Sequence, residues 1–222
     1  MVAILVALTF ILAVAIDAII RQRQRAKVPV SAVARPMPRF PLGYFLTPGH
    51  VWLNLQHSGN VFMGVDELIQ RTLGKINQIS LRKQGEKISK GEVLAVLSQG
   101  DRDIRLLSPI DGTIEKTNVV LERSPQTSLE RPYESGWFYL ISPSNLSDSL
   151  NTFIVAEKAK AWWSHELKRL RDFFQTRLPQ EALAGSTLLD GGPPLDEIAQ
   201  RLDTKAFEEF EALFLQTESV PE

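Results

Sequence analysis

Few side chains in this 222-residue chain have the types and spacing that catalysis or metal binding requires. The three histidines, His50, His57 and His165, do not pair at the helical spacing with which two imidazoles hold one metal ion. No cysteine is present, so disulfides, thiolate metal sites and cysteine nucleophiles are excluded. No motif links a nucleophile to a histidine. The sequence therefore predicts no catalytic residue, no metal site and no enzymatic activity, and His50 is predicted to be structural.

One charged stretch is a candidate for binding rather than for catalysis. It lies between two apolar segments and contains Asp101, Arg102, Asp103 and Arg105. Charges clustered at a turn are typical of a solvated hairpin. The alternative is that these four side chains form a docking site for a protein partner.

Two similar half-motifs flank the charged stretch and predict the elements that hold it. They read Gly74-Lys-Ile-Asn-Gln-Ile-Ser-Leu and Gly112-Thr-Ile-Glu-Lys-Thr-Asn-Val, and they start 38 positions apart. Each begins with glycine and then alternates apolar and polar residues, which is the period of a half-buried strand. We therefore expect a flattened barrel built from two pseudo-symmetric halves.

Further elements follow from local signals on either side of the repeat. Asp66 is predicted to cap a helix over Glu67–Leu73 that ends at Gly74. Strands are predicted at His50–Leu55, Val61–Val65 and Trp137–Ile141, with a polar loop over 121–134.

Six short segments follow one another in this region, namely His50-Val-Trp52, Val61-Phe-Met-Gly64-Val, Leu73-Gly74-Lys-Ile, Gly85-Glu-Lys-Ile-Ser-Lys-Gly91-Glu, Ser108-Pro109-Ile-Asp-Gly112 and Pro132-Tyr133-Glu-Ser-Gly136-Trp137-Phe. In this order they resemble the lipoyl/biotinyl family of small β domains, and more closely the H protein of the glycine cleavage system. The resemblance implies a mainly β, barrel-sandwich hybrid fold over 49–144, followed by α-helices. It also implies a lipoyl group on a lysine at the tip of the hairpin between the two halves.

The sequence departs from the resemblance at that lysine. Counting back from Pro109 places the family's acceptor at Asp101, and no lysine lies between Lys90 and Lys116. Lipoylation needs a primary amine, and arginine is no substitute because its guanidinium stays protonated. We therefore expect no lipoyl or biotinyl cofactor. The alternative is a carrier modified at an atypical lysine, Lys83 or Lys87.

The N-terminal residues 1–21 are predicted to form a transmembrane anchor. Nineteen residues from Val2 to Ile20 include only Thr9 and Asp17 as polar interruptions, and a helix of that length rises about 28 Å. The basic cluster Arg21–Lys27 follows the apolar run, which favours a retained anchor over a cleaved signal peptide. By the positive-inside rule, the N-terminus lies outside and the soluble domain faces the cytoplasm at the inner membrane. Residues 22–48 are predicted to be a basic, proline-rich linker.

Two helical regions are predicted after the β domain. Residues 145–179 include an amphipathic helix over 156–177, whose apolar face carries Trp163, Leu167, Leu170, Phe174 and Leu178. Residues 180–222 are predicted to hold an acidic loop and a helix from Leu195 to Leu215, with Phe207, Phe210 and Phe214 on its apolar face. The two faces are expected to pair antiparallel, to pack on the β domain, or to dock a partner.

The function predicted from these features is docking or scaffolding in a membrane-associated complex, with a protein partner and no nucleic acid. Nucleic-acid binding is disfavoured because the basic residues lie beside the anchor and the globular part is not basic. The alternative is a periplasmic adaptor of the membrane-fusion type. That class carries long coiled-coil helices between the half-motifs, whereas only a short hairpin separates them here.

Overall fold

The computed structural model describes residues 41–149, 152–179 and 196–216. The strands of these residues are β1 Phe45–Leu46, β2 Val51–Leu55, β3 Val61–Val65, β4 Gln78–Leu81, β5 Lys87–Ile88, β6 Val93–Gln99, β7 Arg102–Leu107, β8 Gly112–Thr117 and β9 Tyr139–Pro143. One sheet has the order β1-β2-β3-β9-β8-β5, and the other has the order β4-β6-β7. Neighbouring strands within each sheet are antiparallel. A mainly β fold with C-terminal helices is therefore confirmed.

The core is apolar and draws on both sheets, because alternate residues of each strand face inward. The two half-motifs fall in different sheets, since the first contains β4 and the second contains β8. Each contributes an isoleucine to the core, Ile79 from β4 and Ile114 from β8. Other core side chains that are at most 2% exposed include Met63, Leu97, Ile104, Phe138 and Ile141.

Helix α1, Glu67–Leu73, begins and ends at the predicted residues. The Asp66 side chain accepts a hydrogen bond from the backbone N–H of Ile69 at 3.0 Å, which satisfies one of the free amides at the helix start. Gly74 ends the helix at a φ of +77°, a conformation that glycine adopts without steric cost.

Two boundaries differ from the sequence prediction between β8 and β9. Residues 121–134 were predicted to be a polar loop, and this is wrong, since they contain most of α2, Val120–Arg123, and all of α3, Gln126–Glu130. Helices this short show no periodicity in the sequence and depend on tertiary packing, here of the fully buried Leu121. Strand β9 begins two residues later than predicted, and the carbonyls of Ser135 and Trp137 before it accept hydrogen bonds from the Asn118 amide.

The C-terminal region begins with α4, Leu146–Ser149, and α5, Ala156–Arg177. The bounds of α5 match the prediction, and all five residues of its predicted apolar face are at most 9% exposed. The single helix predicted over 195–215 is wrong. A 3-10 turn at Ile198–Arg201 is followed by α6, Thr204–Phe210, and a π turn at Glu211–Leu215. The break falls at Leu202, which is extended, and Asp203 then caps α6 by accepting the N–H of Ala206.

The tail, residues 196–216, runs antiparallel to α5. Arg169 of α5 bonds the carbonyl of Leu213, whereas Arg177, two turns later, pairs with Glu209. The predicted antiparallel pairing of the two apolar faces is therefore confirmed. The expected anchor, the linker as far as residue 40 and the predicted loop over 180–195 lie outside the described residues. Among the helices that are described, none is long and apolar enough to cross a membrane.

Candidate functional site: the β6–β7 hairpin and the tail that packs on it

Asp101 lies at the tip of the hairpin formed by β6 and β7. Gln99 pairs with Arg102, so Gly100 and Asp101 form a two-residue turn. Gly100 has a φ of +60°, and its N–H donates to the Asn77 side chain at 2.8 Å. The Gln99 amide donates to the carbonyls of Leu73 and Lys75, which fastens the base of the turn to the end of α1. The tip is therefore well supported, and the Asp101 side chain is exposed.

Arg102 is engaged inside the chain rather than offered to a partner. Its guanidinium donates to the backbone carbonyls of Ala199 and Leu202 in the tail. The guanidinium carbon also lies 4.7 Å from the centroid of the Phe207 ring, a cation–π arrangement. This use differs from the docking role expected for Arg102, because both terminal nitrogens of its guanidinium donate to tail carbonyls and its plane lies on the Phe207 ring.

Asp103 and Arg105 keep exposed side chains on the same strand. Asp103 accepts a hydrogen bond from the Ser98 hydroxyl across the hairpin at 2.7 Å. The backbone N–H of Arg105 donates to a carboxylate oxygen of Glu211 at 2.7 Å. Strand β7 is at the edge of its sheet, and an unpaired edge N–H invites pairing with another chain. The tail therefore protects one amide of this edge through Glu211, which is only 8% exposed.

The start of the tail is bonded to α1. The Arg71 guanidinium donates to Asp196 at 2.7 Å, and the Glu197 N–H donates to the Arg71 carbonyl at 2.7 Å. Gly74 lies directly beneath the tail, since a Cβ added there would be 2.4 Å from Cγ of Glu197. Because Glu197 lies so close, there is no room for a side chain at Gly74. The positive φ of Gly74 favours glycine as well.

The three tail phenylalanines predicted as docking residues are buried within the chain. Phe207, Phe210 and Phe214 are 4%, 0% and 2% exposed. Phe210 contacts Phe173 and Phe174 of α5 at centroid distances of 6.1 and 5.8 Å. This differs from the docking role expected for these residues. The three rings pack on one another and on α5, so they present no exposed apolar face to a partner.

A buried charged network joins the β domain to α5. Nδ1 of His50 is 2.6 Å from Asp66 and its Nε2 is 3.3 Å from Glu166, and all three side chains are fully buried. Glu166 is also bonded by Arg169 at 2.6 Å. Both partners of the imidazole are acceptors, so both of its nitrogens donate only when it is protonated.

The electrostatics of the network favour that protonated form. Burial alone would lower the pKa of His50, but the charges and hydrogen bonds of Asp66 and Glu166 outweigh it and raise that pKa to about 9. For Glu166, burial would raise the pKa, whereas His50 and Arg169 together lower it. His50 also has a φ of +59°, the left-handed region that non-glycine residues seldom adopt. The structural role predicted for His50 fits this geometry, whereas its link to Glu166 was not predicted.

No cluster of histidine or acidic residues in the described part of the chain has the geometry of a metal site. The two alternative lysines lie away from the hairpin tip. Lys83 is in the connection between β4 and β5, and Lys87 begins β5. Neither lysine belongs to the turn that contains Asp101.

Comparison with known proteins places these features in a family context. The family model described as "Glycine cleavage H-protein" matches residues 44–166. The "Probable glycine cleavage system H protein" of Thermococcus gammatolerans is 30% identical over 115 residues, which cover 52% of this chain and 85% of that protein. The "Glycine cleavage system H protein" of Chromobacterium violaceum is 31% identical over 124 residues, 56% of this chain and 97% of its own.

A solved structure is also similar. It is a glycine cleavage system H protein from Mycobacterium marinum, with a TM-score of 0.48 and 24% identity, covering 55% of this chain and 98% of that chain.

Proposed function

This chain belongs to the glycine cleavage H-protein family, and we propose that it is a non-enzymatic docking or scaffold subunit that carries no lipoyl group. One observation carries the proposal. The β6–β7 turn, where the family's acceptor lysine is expected, ends in the exposed Asp101. No lysine lies between Lys90 and Lys116, so the whole of β6, the turn and β7 lacks a primary amine.

The chemistry of lipoyl attachment supports this reading of Asp101. An amide bond to lipoate forms from a side-chain amine, and a carboxylate cannot supply one. The neighbouring Arg102 stays protonated and is tied to the tail by hydrogen bonds. A lipoyl group on Lys83 or Lys87 would project from the β4–β5 connection or from β5, and not from the tip of the β6–β7 hairpin.

The hairpin keeps an exposed acidic tip with which it can dock a partner. The tail occupies one flank of β7, so the exposed groups left on the hairpin are the carboxylates of Asp101 and Asp103 and the side chain of Arg105. The support beneath the tip, through Gln99 and Gly100, holds these groups in place before a partner arrives. Such preorganisation lowers the entropy cost of association.

The location proposed for this activity is the cytoplasmic face of the inner membrane, with residues 1–21 as a single-pass anchor and the partner in the same membrane-associated complex. The proposal is supported by the length of the apolar run and by the basic cluster that follows it. Anchoring confines the β domain to a thin layer beside the bilayer, which favours encounter with a partner held there.

The test is recovery of partners from native membranes solubilised in mild detergent. We expect the double charge reversal Asp101→Arg/Asp103→Arg to lose a partner that the wild-type chain recovers. The control reverses two other exposed carboxylates, Glu115→Arg/Glu130→Arg, and should recover the partner normally. Equal recovery by both double variants would show that the tip is not the docking site.

A further inference from the structure

An aromatic cleft lies on the outer face of the six-stranded sheet, away from the hairpin. Its volume is about 250 Å³. The lining consists of five aromatic residues, one acid and two amides, namely Tyr44, Trp52, Phe62, Tyr133, Trp137, Glu134, Asn54 and Gln56. The solvent face of a two-sided antiparallel sheet is ordinarily polar, so this concentration of aromatic side chains needs an explanation.

The floor of the cleft depends on a glycine. Trp52 of β2 pairs with Gly64 of β3, and a Cβ at Gly64 would be 2.5 Å from Cζ2 of the indole. The missing side chain therefore lets the indole lie close over β3. The indole N–H donates to the Val65 carbonyl at 3.0 Å, which fixes the ring. Trp52 itself is only 1% exposed, so it supports the cleft from beneath, and the surface open to a ligand comes from the surrounding rings.

The walls are held equally firmly. Tyr44 meets Trp52 and Tyr133 edge to face, at centroid distances of 5.3 and 5.5 Å. The Tyr44 hydroxyl donates to the Tyr133 carbonyl at 2.8 Å, and the Tyr133 hydroxyl accepts from the Glu67 N–H. Phe62 and Trp137 form the opposite wall, 5.2 Å apart. The rings are therefore positioned before any ligand arrives.

Glu134 is the one charged residue in the lining of the cleft. Glu134 stands at the rim with 76% of its side chain exposed, and its ion pair with Arg131 is loose, at 4.0 Å between two exposed groups. Burial raises the pKa of the Tyr44 hydroxyl, and the nearby Glu134 charge raises it further. The ammonium of Lys116 lies 5.7 Å from the centroid of the Trp137 ring, so a ligand cation would share this ring with Lys116.

We propose that this cleft binds a small cation bearing a trimethylammonium group. Several aromatic faces together with a carboxylate are the arrangement that recognises quaternary ammonium, because the methyl groups pack on the rings while the charge is attracted by the ring quadrupoles. A primary ammonium is compact and strongly hydrated, so it gains less from such a surface. The cleft is smaller than the roughly 300–1,000 Å³ of a drug-sized pocket, which limits the ligand to a small head group.

Titration of the full-length chain in detergent with choline tests the proposal. The matched control ligand is 3,3-dimethylbutan-1-ol, which has the shape of choline without its charge, and the readout is tryptophan fluorescence together with the NMR signal of the Trp137 indole. We expect saturable binding of choline and affinity for the neutral isostere about tenfold or more lower, as a cation–π contribution of one to two kcal/mol implies. Equal affinity for the two compounds, or no saturable change with choline, would overturn the proposal.

Variants separate the charge from the apolar lining. Glu134→Gln keeps the size of an exposed side chain and should weaken choline binding about fivefold or more, with no change in the melting temperature. Glu130→Gln removes an exposed carboxylate from the same segment, outside the lining, and should leave binding unchanged. If the two variants bind choline alike, Glu134 does not act on the ligand and the cation site is wrong.

A trimethylammonium group can arrive on a soluble compound or on a choline lipid headgroup. Reconstituting the full chain in phosphatidylglycerol vesicles, with and without phosphatidylcholine, distinguishes the two sources. A response to free choline that disappears when phosphatidylcholine is present identifies the headgroup, and an unchanged response identifies a soluble cation. No response to free choline in either vesicle would contradict the site itself.

Discussion

Arg102 stacks its guanidinium on the Phe207 ring, 4.7 Å from the ring centroid, and thereby fastens the hairpin to a tail about one hundred residues further along the chain. The same guanidinium bonds two tail carbonyls at the break between the 3-10 turn and α6. One side chain therefore contributes charge, hydrogen bonds and a stacking surface to a single contact.

Arg102→Ala should loosen the tail from the hairpin. The two carbonyls lose their donor and the Phe207 ring loses a contact, so we expect residues 196–210 to exchange their amide hydrogens about tenfold faster or more. Hydrogen–deuterium exchange with peptide resolution measures this. Arg105→Ala is the matched control. It also removes an arginine side chain from β7, but Arg105 bonds the tail through its backbone N–H, which the substitution keeps. Equal protection of the tail in both variants would mean that Arg102 does not hold it.

The contact between Arg102 and the tail also shows which structural features local sequence patterns do not predict. The bounds of α5 follow from a helical period and from Pro179, and the start of α1 follows from Asp66, because these signals lie within a few residues of the element they define. The partners of Arg102 are backbone carbonyls, which every residue possesses, so no residue type marks them.

The same limit applies to the buried network and to the aromatic cleft. His50 and Glu166 are 116 positions apart and meet only after α5 has packed on the β domain. Tyr44, Phe62 and Trp137 come from three separate segments, and each alone is typical of a core aromatic. Phe62 could have been noticed in the sequence, because it is an aromatic residue at an outward position of an alternating strand. That position does not reveal which other residues lie beside it.

Intact-mass spectrometry of the chain from native membranes should show no lipoyl or biotinyl group, because Asp101 stands at the tip of the hairpin. Asp101→Lys provides the converse test. It restores an amine on an exposed, well-supported turn, so a lipoate-attaching enzyme that recognises the hairpin should modify it. A mass increase of one lipoyl group on the wild-type chain would show that a different lysine is used and would favour the carrier alternative.

The β domain should be protected from protease in intact spheroplasts, because the basic cluster after residue 20 is expected to stay in the cytoplasm. Digestion is expected only after lysis. A periplasmic marker protein cut in the same sample confirms that the protease was active. Digestion of the β domain without lysis would mean that the domain lies outside the cytoplasm, and it would favour the periplasmic adaptor.

Phe210→Ala should destabilise the chain by about 3–5 kcal/mol, because it empties a fully buried site between α5 and the tail. The loss is measured as a lower free energy of unfolding in urea. Leu213→Ala is the control, since that side chain is 48% exposed and its removal should cost less than about 0.5 kcal/mol. A Phe210→Ala variant as stable as the wild type would mean that the aromatic cluster does not stabilise the tail.

The His50 network should make the stability of the chain depend on pH. The pKa of His50 is raised from 6.5 to about 9 in the folded chain, so its contribution is fully present below about pH 6.5 and is lost as the pH rises through 9. The pKa of Glu166 is lowered, so its contribution is present above its unfolded value of 4.5 and is lost as the pH falls through the folded value. The network is therefore most favourable between about pH 4.5 and 6.5.

The free energy of unfolding should then fall between pH 6.5 and 9, by up to about 3 kcal/mol for a shift of that size. His50→Asn is the informative variant, because asparagine tolerates the left-handed backbone of this position. It should lower stability at pH 6 and flatten the profile above pH 6.5. His57→Asn replaces an exposed histidine and should keep the wild-type profile. If the slope above pH 6.5 survives in His50→Asn, another group causes it, and the buried imidazole is not the charged partner of Asp66 and Glu166.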